Sequence, residues 1–464
     1  MVVHLWAFAT PHYIIRHQRS HVSDETHLRV APYRMIQYSA MRLGNGSRVA
    51  VLGGGPAGSF FALYLLRYAA MSCVDLHVDI FEWRSFSDLG PKGCNRGAGI
   101  LSASMLRNLK ELELNVPEEV VRSHIASYHL HSPFGIIDIA NPDPSAEIYS
   151  VFRGAGPLYN SVKLPGFDGF LLDKAVEQGA GLVRRRVDAV KLAPRPTVVV
   201  EDGSPSYDLV VLASGLNSGS VEISGVNYRP PASRTMSQDE LYAREEDIQE
   251  YFGSSVRAFL LPKTDLIFGS VVPKGSFLSV SLLSRGGPAD LEGFLEHEIV
   301  KKAIPFPYKR SCGCRPRIGV GCASGFFADG FVAVGDAAVS RLYKDGIGSA
   351  LLTARHAAFT AVSYGTSAND FRNHYLPYCR GIQRDNQLGR LIFAIHNRTK
   401  NSGRFFRAQS RLINPEGSMS VAGQAFSKIL WGIFTGIYNY REIWHMASRG
   451  KVIARMALEY LRGA

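Results

Sequence analysis

Glycines at 53, 55 and 58 stand in the run Arg48-Val-Ala-Val-Leu-Gly-Gly-Gly-Pro-Ala-Gly-Ser59. At that spacing small residues do three separate things for a dinucleotide: they make a tight turn, let backbone approach a pyrophosphate, and let a helix pack closely on a strand. The elements that must position them are legible on either side. Val49 to Leu52 reads as a strand buried on both faces, and Ser59 to Leu66 reads as a helix whose N-terminus favours phosphate. Leu76-His-Val-Asp-Ile-Phe-Glu82 reads as a second strand, ending in an acid that can bind ribose hydroxyls. In a chain with 45 glycines one such spacing is weak alone. Here the strand, the helix and Glu82 make it specific.

Two further stretches carry chemistry. Pro91 to Leu101 is a glycine-rich loop with Cys94 and Arg96. Arg96 can reach the pyrophosphate of FAD or stand solvated in its loop, and Cys94 reads as a small buried hydrophobe. Further on, Phe331 to Val334 is a short buried strand running into Gly335-Asp336, where a carboxylate can meet flavin ribityl hydroxyls or cap the next helix. Gly346 and Gly348 then open a long alanine-rich helix. Its N-terminus is suited to the negative charge that develops on a reduced isoalloxazine. Cys312, Cys314 and Cys322 do not have a zinc spacing, so no metal is expected.

The whole chain is long enough for two or three domains, with 464 residues, 46% hydrophobic and 20% charged. Its formal charge of +12 attracts anions without choosing among nucleic acid, membrane and phosphorylated cofactor. Six cysteines without regular spacing fit a reducing, cytoplasmic compartment, and no run of 18 apolar residues reads as membrane-spanning. The fold expected is α/β: a Rossmann-like FAD-binding domain of glutathione-reductase type with an inserted antiparallel β substrate domain and a C-terminal helical region. The first is assigned to 47–125, 158–222 and 305–365, the second to 126–157 and 223–304, and the third to 366–464. Within the inserted block, Ser237 to Tyr251 carries polar helix signals, while 258–261, 266–272 and 277–283 read as strands. Residues 1–46 stand apart as an extension that is disordered, transit-like or the product of an early start. The basic C-terminal helices suit packing on the core or peripheral contact with a membrane.

With both glycine anchors and Ala213-Ser214-Gly215 in view, the chain resembles the geranylgeranyl reductase family of FAD-dependent oxidoreductases. That family shares a wider FAD fold with para-hydroxybenzoate hydroxylase-type enzymes and flavin-dependent halogenases. The resemblance implies FAD held by Gly53, Gly55, Gly58 and Glu82 at the ADP half and by Asp336, Gly346 and Gly348 at the flavin. It implies NAD(P)H as electron donor, a prenyl-type lipid or other apolar small molecule as substrate, and no nucleic-acid partner. Pro91-Lys-Gly-Cys94 is similar to the family's active-site loop, which makes Cys94 the catalytic candidate. Phe268 to Gly275 is similar to its pocket-lining strand, with Ser270 where tryptophan is usual and Val272 where phenylalanine is usual. Ser214 in place of aspartate and Tyr343 in place of proline are further departures. A flavin monooxygenase or an electron carrier to quinone is the alternative activity.

Overall fold

In the computed structural model the described residues are 41–95, 97–158, 163–216, 221–413 and 418–462. Arg96 and most of the extension expected at 1–46 lie outside them. The chain opens with β1 (Ser47–Leu52), α1 (Pro56–Met71) and β2 (Leu76–Phe81). Val49 to Leu52 are at most 2% exposed, as a parallel strand covered on both faces requires. α1 starts on Gly55 with Pro56 in its first turn, where a missing N–H costs nothing. Its apolar residues run all the way round, so it is buried on most sides.

There follow α2 (Ala103–Glu111), β3 (Ser127–Ser132), β4 (Gly135–Ala140), α3 (Phe167–Glu177), β5 (Gly181–Val183) and β6 (Leu209–Leu212). The middle of the chain supplies β7 (Ser237–Tyr242), α4 (Glu245–Tyr251), β8 (Ser255–Phe259), β9 (Leu266–Lys274) and β10 (Phe277–Ser284). After these come β11 (Lys309–Arg310), β12 (Phe327–Ala328) and β13 (Phe331–Ala333). The chain from Gly346 on is helical: α5 (Gly346–Ser363), α6 (Leu376–Thr399), α7 (Gly403–Ile413), α8 (Val421–Thr435), α9 (Tyr440–Ala447) and α10 (Gly450–Leu461).

Two sheets organise the site. The mostly parallel sheet has the order β12-β13-β6-β1-β2-β5, with β13, β6, β1, β2 and β5 parallel. α1 covers it and packs on α5, whose Ala350, Ala354, Ala357, Ala358 and Ala361 are buried and let the two helices approach closely. The second sheet has the order β11-β7-β10-β9-β8-β3-β4. One of its faces packs on α7 and α8 through Tyr128, Leu130, Val256, Leu430 and Trp431.

Residues 237–242 correct the expected helix over Ser237 to Tyr251, because only Glu245–Tyr251 is helical. Glu240 favours a helix by local preference, but it and Asp239 are both satisfied across the sheet. Arg310 Nε donates to Asp239 Oδ2 at 2.7 Å, and Ser279 Oγ donates to Glu240 Oε2 at 2.6 Å. Cross-strand partners override the propensity.

Candidate active site

The turn after β1 shows why glycine is needed. Gly53 has φ of +114°, and a Cβ there would lie 2.7 Å from the Ala213 carbonyl oxygen. A Cβ at Gly58 would lie 1.8 Å from the Gly53 oxygen, backbone against backbone. Gly55 caps α1 without a side-chain hydrogen bond, and no acid occupies the first turn. The first amides of α1 are therefore open to an anion.

Glu82 follows β2, is 4% exposed, and is held in place by N–H groups of Gly54 and Arg84. The Gly54 amide donates to it at 3.1 Å, and Arg84 donates from its amide at 3.0 Å and its Nε at 3.2 Å. Beside Gly55, Asn95 donates to Asp168, which is fully buried and also accepts from Arg153 at 2.6 and 2.9 Å. Burial works against the Arg153 charge, but the Asp168 carboxylate outweighs it and raises the guanidinium above its ordinary value. Asp336 is pushed up by burial, with the Ser340 hydroxyl and the Arg153 charge opposing.

A cavity of about 550 Å³ runs along these groups. Gly53, Gly55, Glu82, Asn95, Arg153 and Asp336 line one end, and Gly346 also faces it. Apolar side chains of the second sheet and of α8 line the other, among them Tyr128, Leu130, Phe268, Leu430 and Phe434.

Gly346 and Gly348 part company here. A Cβ on Gly346 would meet nothing within 4 Å. Gly348 does not line the cavity. Its N–H donates to Asp345 Oδ1 at 3.2 Å, and a Cβ there would lie 2.4 Å from that oxygen. The N-terminus of α5 is thus capped by a carboxylate. Burial pushes the Asp345 carboxyl up, with Arg341 at 3.2 Å opposing.

Tyr343 and Asp345 both have left-handed φ, +61° and +54°. The segment that holds them is gripped by the C-terminal helices. Arg341 donates to the carbonyls of Gly436 and Tyr438, Lys344 Nζ to that of Gly432 at 2.9 Å, and the Tyr440 hydroxyl to that of Leu342. Burial, with Arg341 beside it, holds the Lys344 amine well below the ordinary lysine value.

Cys94 is not among the residues lining the cavity. Its amide donates to the Gly90 carbonyl at 3.1 Å, and its thiol lies within the electrostatic reach of Arg153 and Lys274. Lys274 is 1% exposed, stands 4.8 Å over the Phe152 ring, and has Glu240 at 4.0 Å. Burial lowers its amine, and Glu240 opposes that shift.

Sequence reasoning missed Arg153, Asp168 and the arginines beside the nucleotide end. Arg84, Arg185 and Arg186 all line the cavity. The Arg184-Arg185-Arg186 run directly after β5 was the available signal, since β5 lies next to β2.

No protein-family model and no curated protein matches the chain. Solved structures share its fold. A flavoprotein/dehydrogenase from Cytophaga hutchinsonii aligns with a TM-score of 0.56 at 15% identity, over 90% of this chain and 98% of that one. p-Nitrophenol 4-monooxygenase from Pseudomonas putida DLL-E4 gives 0.52 at 15%, over 91% and 99%. The flavin-dependent halogenase CmlS gives 0.53 at 16%, over 87% and 77%. Such identities bear on fold alone. The fold is the Rossmann-type FAD-binding fold of these flavoproteins, with a C-terminal helical region.

Proposed function

We propose that this chain binds FAD and is an FAD-dependent oxidoreductase acting on an apolar substrate. One observation carries the reading: a single cavity joins the glycine turn, Glu82 and Asp336 to an apolar wall. The residues present fit the cofactor, since Gly53 and Gly58 leave no room for a side chain and the first turn of α1 offers amides without a competing acid. Gly53, Gly55, Glu82 and the α1 amides would hold its ADP half, Asp336 its ribityl chain, and Gly346 would leave space beside its ring. Once reduced by NAD(P)H or another donor, FAD supplies either a hydride or activated oxygen. The protein orients the substrate against the apolar wall and keeps water out.

Of those two reactions, oxygenation is favoured. Saturating a prenyl double bond requires a proton donor, and Cys94, the catalytic candidate that the family resemblance gives, is not in the cavity wall. One feature supports reduction instead: Phe268 to Ser270, similar to the reductases' pocket-lining strand, does line the cavity. The test is oxygen uptake by the FAD-loaded protein with NADPH and an alkylphenol, with mass spectrometry of the product. Coupled uptake and a gain of one oxygen atom are expected. Anaerobic reoxidation of the photoreduced flavin by a geranylgeranyl lipid that gains two hydrogens would establish reduction in its place. A protein that retains no flavin would sink both.

Membrane contact belongs to the same proposal. On α10 the exposed Ile453, Ala454, Ala457, Leu458 and Leu461 fall on one helical face near Lys451 and Arg462. Among the described residues no helix is long and apolar enough to cross a membrane. With a formal charge of +12, an anionic surface is the partner that fits. Co-sedimentation with anionic but not zwitterionic vesicles is expected, and binding to neither would end the idea.

A further inference from the structure

The loop that opens α5 puts a carboxylate where the fold otherwise offers positive charge. A helix N-terminus carries the equivalent of about half a positive charge. Asp345 stands immediately before α5 and lines the cavity together with Gly346 and Ile347. Its Oδ1 accepts from the Gly348 amide at 3.2 Å and from the Ser102 hydroxyl at 3.3 Å, and its Oδ2 accepts from Arg341 at 3.2 Å. These three donors favour its ionised form. The Asp345 side chain is 5% exposed, so water screens its charge little on the cavity side.

A charge is not needed for the cap itself. Asparagine caps a helix as well as aspartate does, and it also tolerates the left-handed backbone found here, with φ of +54°. What the carboxylate alone supplies is its field. The cations beside it are Arg341 and Lys344, which also line the cavity. Arg341 spends its other donors on the carbonyls of Gly436 and Tyr438, and Lys344, whose amine burial holds low, donates to the Gly432 carbonyl at 2.9 Å. The balance at the start of α5 is therefore the helix end and Arg341 against Asp345. That field reaches Gly346, where a Cβ would meet nothing within 4 Å and a ring has room.

We infer that Asp345 lowers the reduction potential of the flavin by placing a fixed negative charge at the start of α5, against the charge that reduction puts on the ring. Two electrons and one proton taken up by a flavin leave a negative charge spread over N1 and O2. The end of α5 and Arg341 favour that charge, and Asp345 offsets them. The reduced ring is the stronger reductant for it. The N-terminus of α5, which the sequence suits to stabilising a reduced isoalloxazine, is in this chain opposed by its own cap. The inference rests on the proposed FAD-dependent oxidoreductase.

The test is the midpoint potential of the FAD-loaded full chain, measured against a reference dye during anaerobic reduction, together with sulfite titration of the oxidised protein. Sulfite adds its electron pair to flavin N5 and leaves the charge on N1 and O2, so its affinity reads the same field without turnover. Asp345→Asn and Asp345→Gly both remove the charge and both accept the positive φ. Each is expected to bind sulfite roughly tenfold more tightly than the wild type, as for one charge removed from a weakly screened site. The midpoint should rise by about 30 mV, the two-electron equivalent of that factor. Either quantity unchanged or moved the other way in both variants would overturn the inference. So would loss of flavin from both variants while thermal unfolding shows the fold intact, since Asp345 would then be a binding group. Where one variant fails to fold, the other decides. A wild-type protein that retains no flavin sinks the proposed oxidoreductase and this inference with it; variants that hold flavin without the shift sink this inference alone.

Discussion

At the nucleotide end of the cavity Glu82 accepts from Gly54 and Arg84, Asp168 from Arg153 and Asn95, and Asp345 from Gly348 and Arg341. At the sheet end the hydroxyls of Tyr128 and Ser281 accept from and donate to nothing. The first end is held by the chain's own contacts, and the second leaves two buried hydroxyls unpaired. Substitutions at the two ends should therefore change stability with opposite signs.

Asp168→Ala tests the finished end most severely. It leaves Arg153 buried without its carboxylate and should cost about 3–5 kcal/mol, measured by urea unfolding. Gly58→Ala comes next: its Cβ would stand 1.8 Å from a backbone oxygen, so strand and helix must separate, at about 3 kcal/mol and with loss of retained flavin. Asp168→Ala at wild-type stability would remove the contrast.

His131 carries the contrast to the opposite face of the same sheet, away from the cavity. It lies one residue from Leu130 on β3, is 7% exposed, stacks on Phe259 at 5.1 Å, and has an unpartnered Nε2. Burial holds its pKa down to about 4, against the pull of the Asp138 carboxylate. Below about pH 6.5 the unfolded chain takes up a proton there that the folded chain refuses, so stability falls as pH drops from about 6.5 to 4. His131→Phe should flatten that slope by up to about 1.4 kcal/mol per pH unit, read from unfolding midpoints across the interval. Ser281→Ala is the smallest effect and the one of opposite sign, a gain of up to about 1 kcal/mol in the free protein.

The glycine turn at one end of the cavity was legible because its rules are local. Val49 to Leu52, the three glycines and Glu82 occupy one short stretch, and each residue type answers a steric or charge requirement of its neighbours. Asp336 was legible for the same reason, at the end of a short apolar strand. The Asn95–Asp168–Arg153 network was not, since it is drawn from two loops and the first turn of α3. Nor was β7, which was read as helix because Asp239 and Glu240 hide their cross-strand partners. Gly348 illustrates a subtler limit. A glycine beside a helix start looks the same in sequence whether it clears space for a ligand or for the capping carboxylate of Asp345.

The grip of the C-terminal helices on residues 341–345 has a dynamic consequence. Tyr343 and Asp345 hold a backbone conformation that costs non-glycine residues on the order of 1–3 kcal/mol each, so it persists only while its surroundings impose it. Those surroundings are the carbonyls of Gly432, Gly436 and Tyr438 and the hydroxyl of Tyr440, all from the last fifth of the chain. Undocking of α8 and α9 and relaxation of the loop before α5 are therefore one opening event. Ligand escape past Gly346 and protease access to the C-terminal helices should share a single rate.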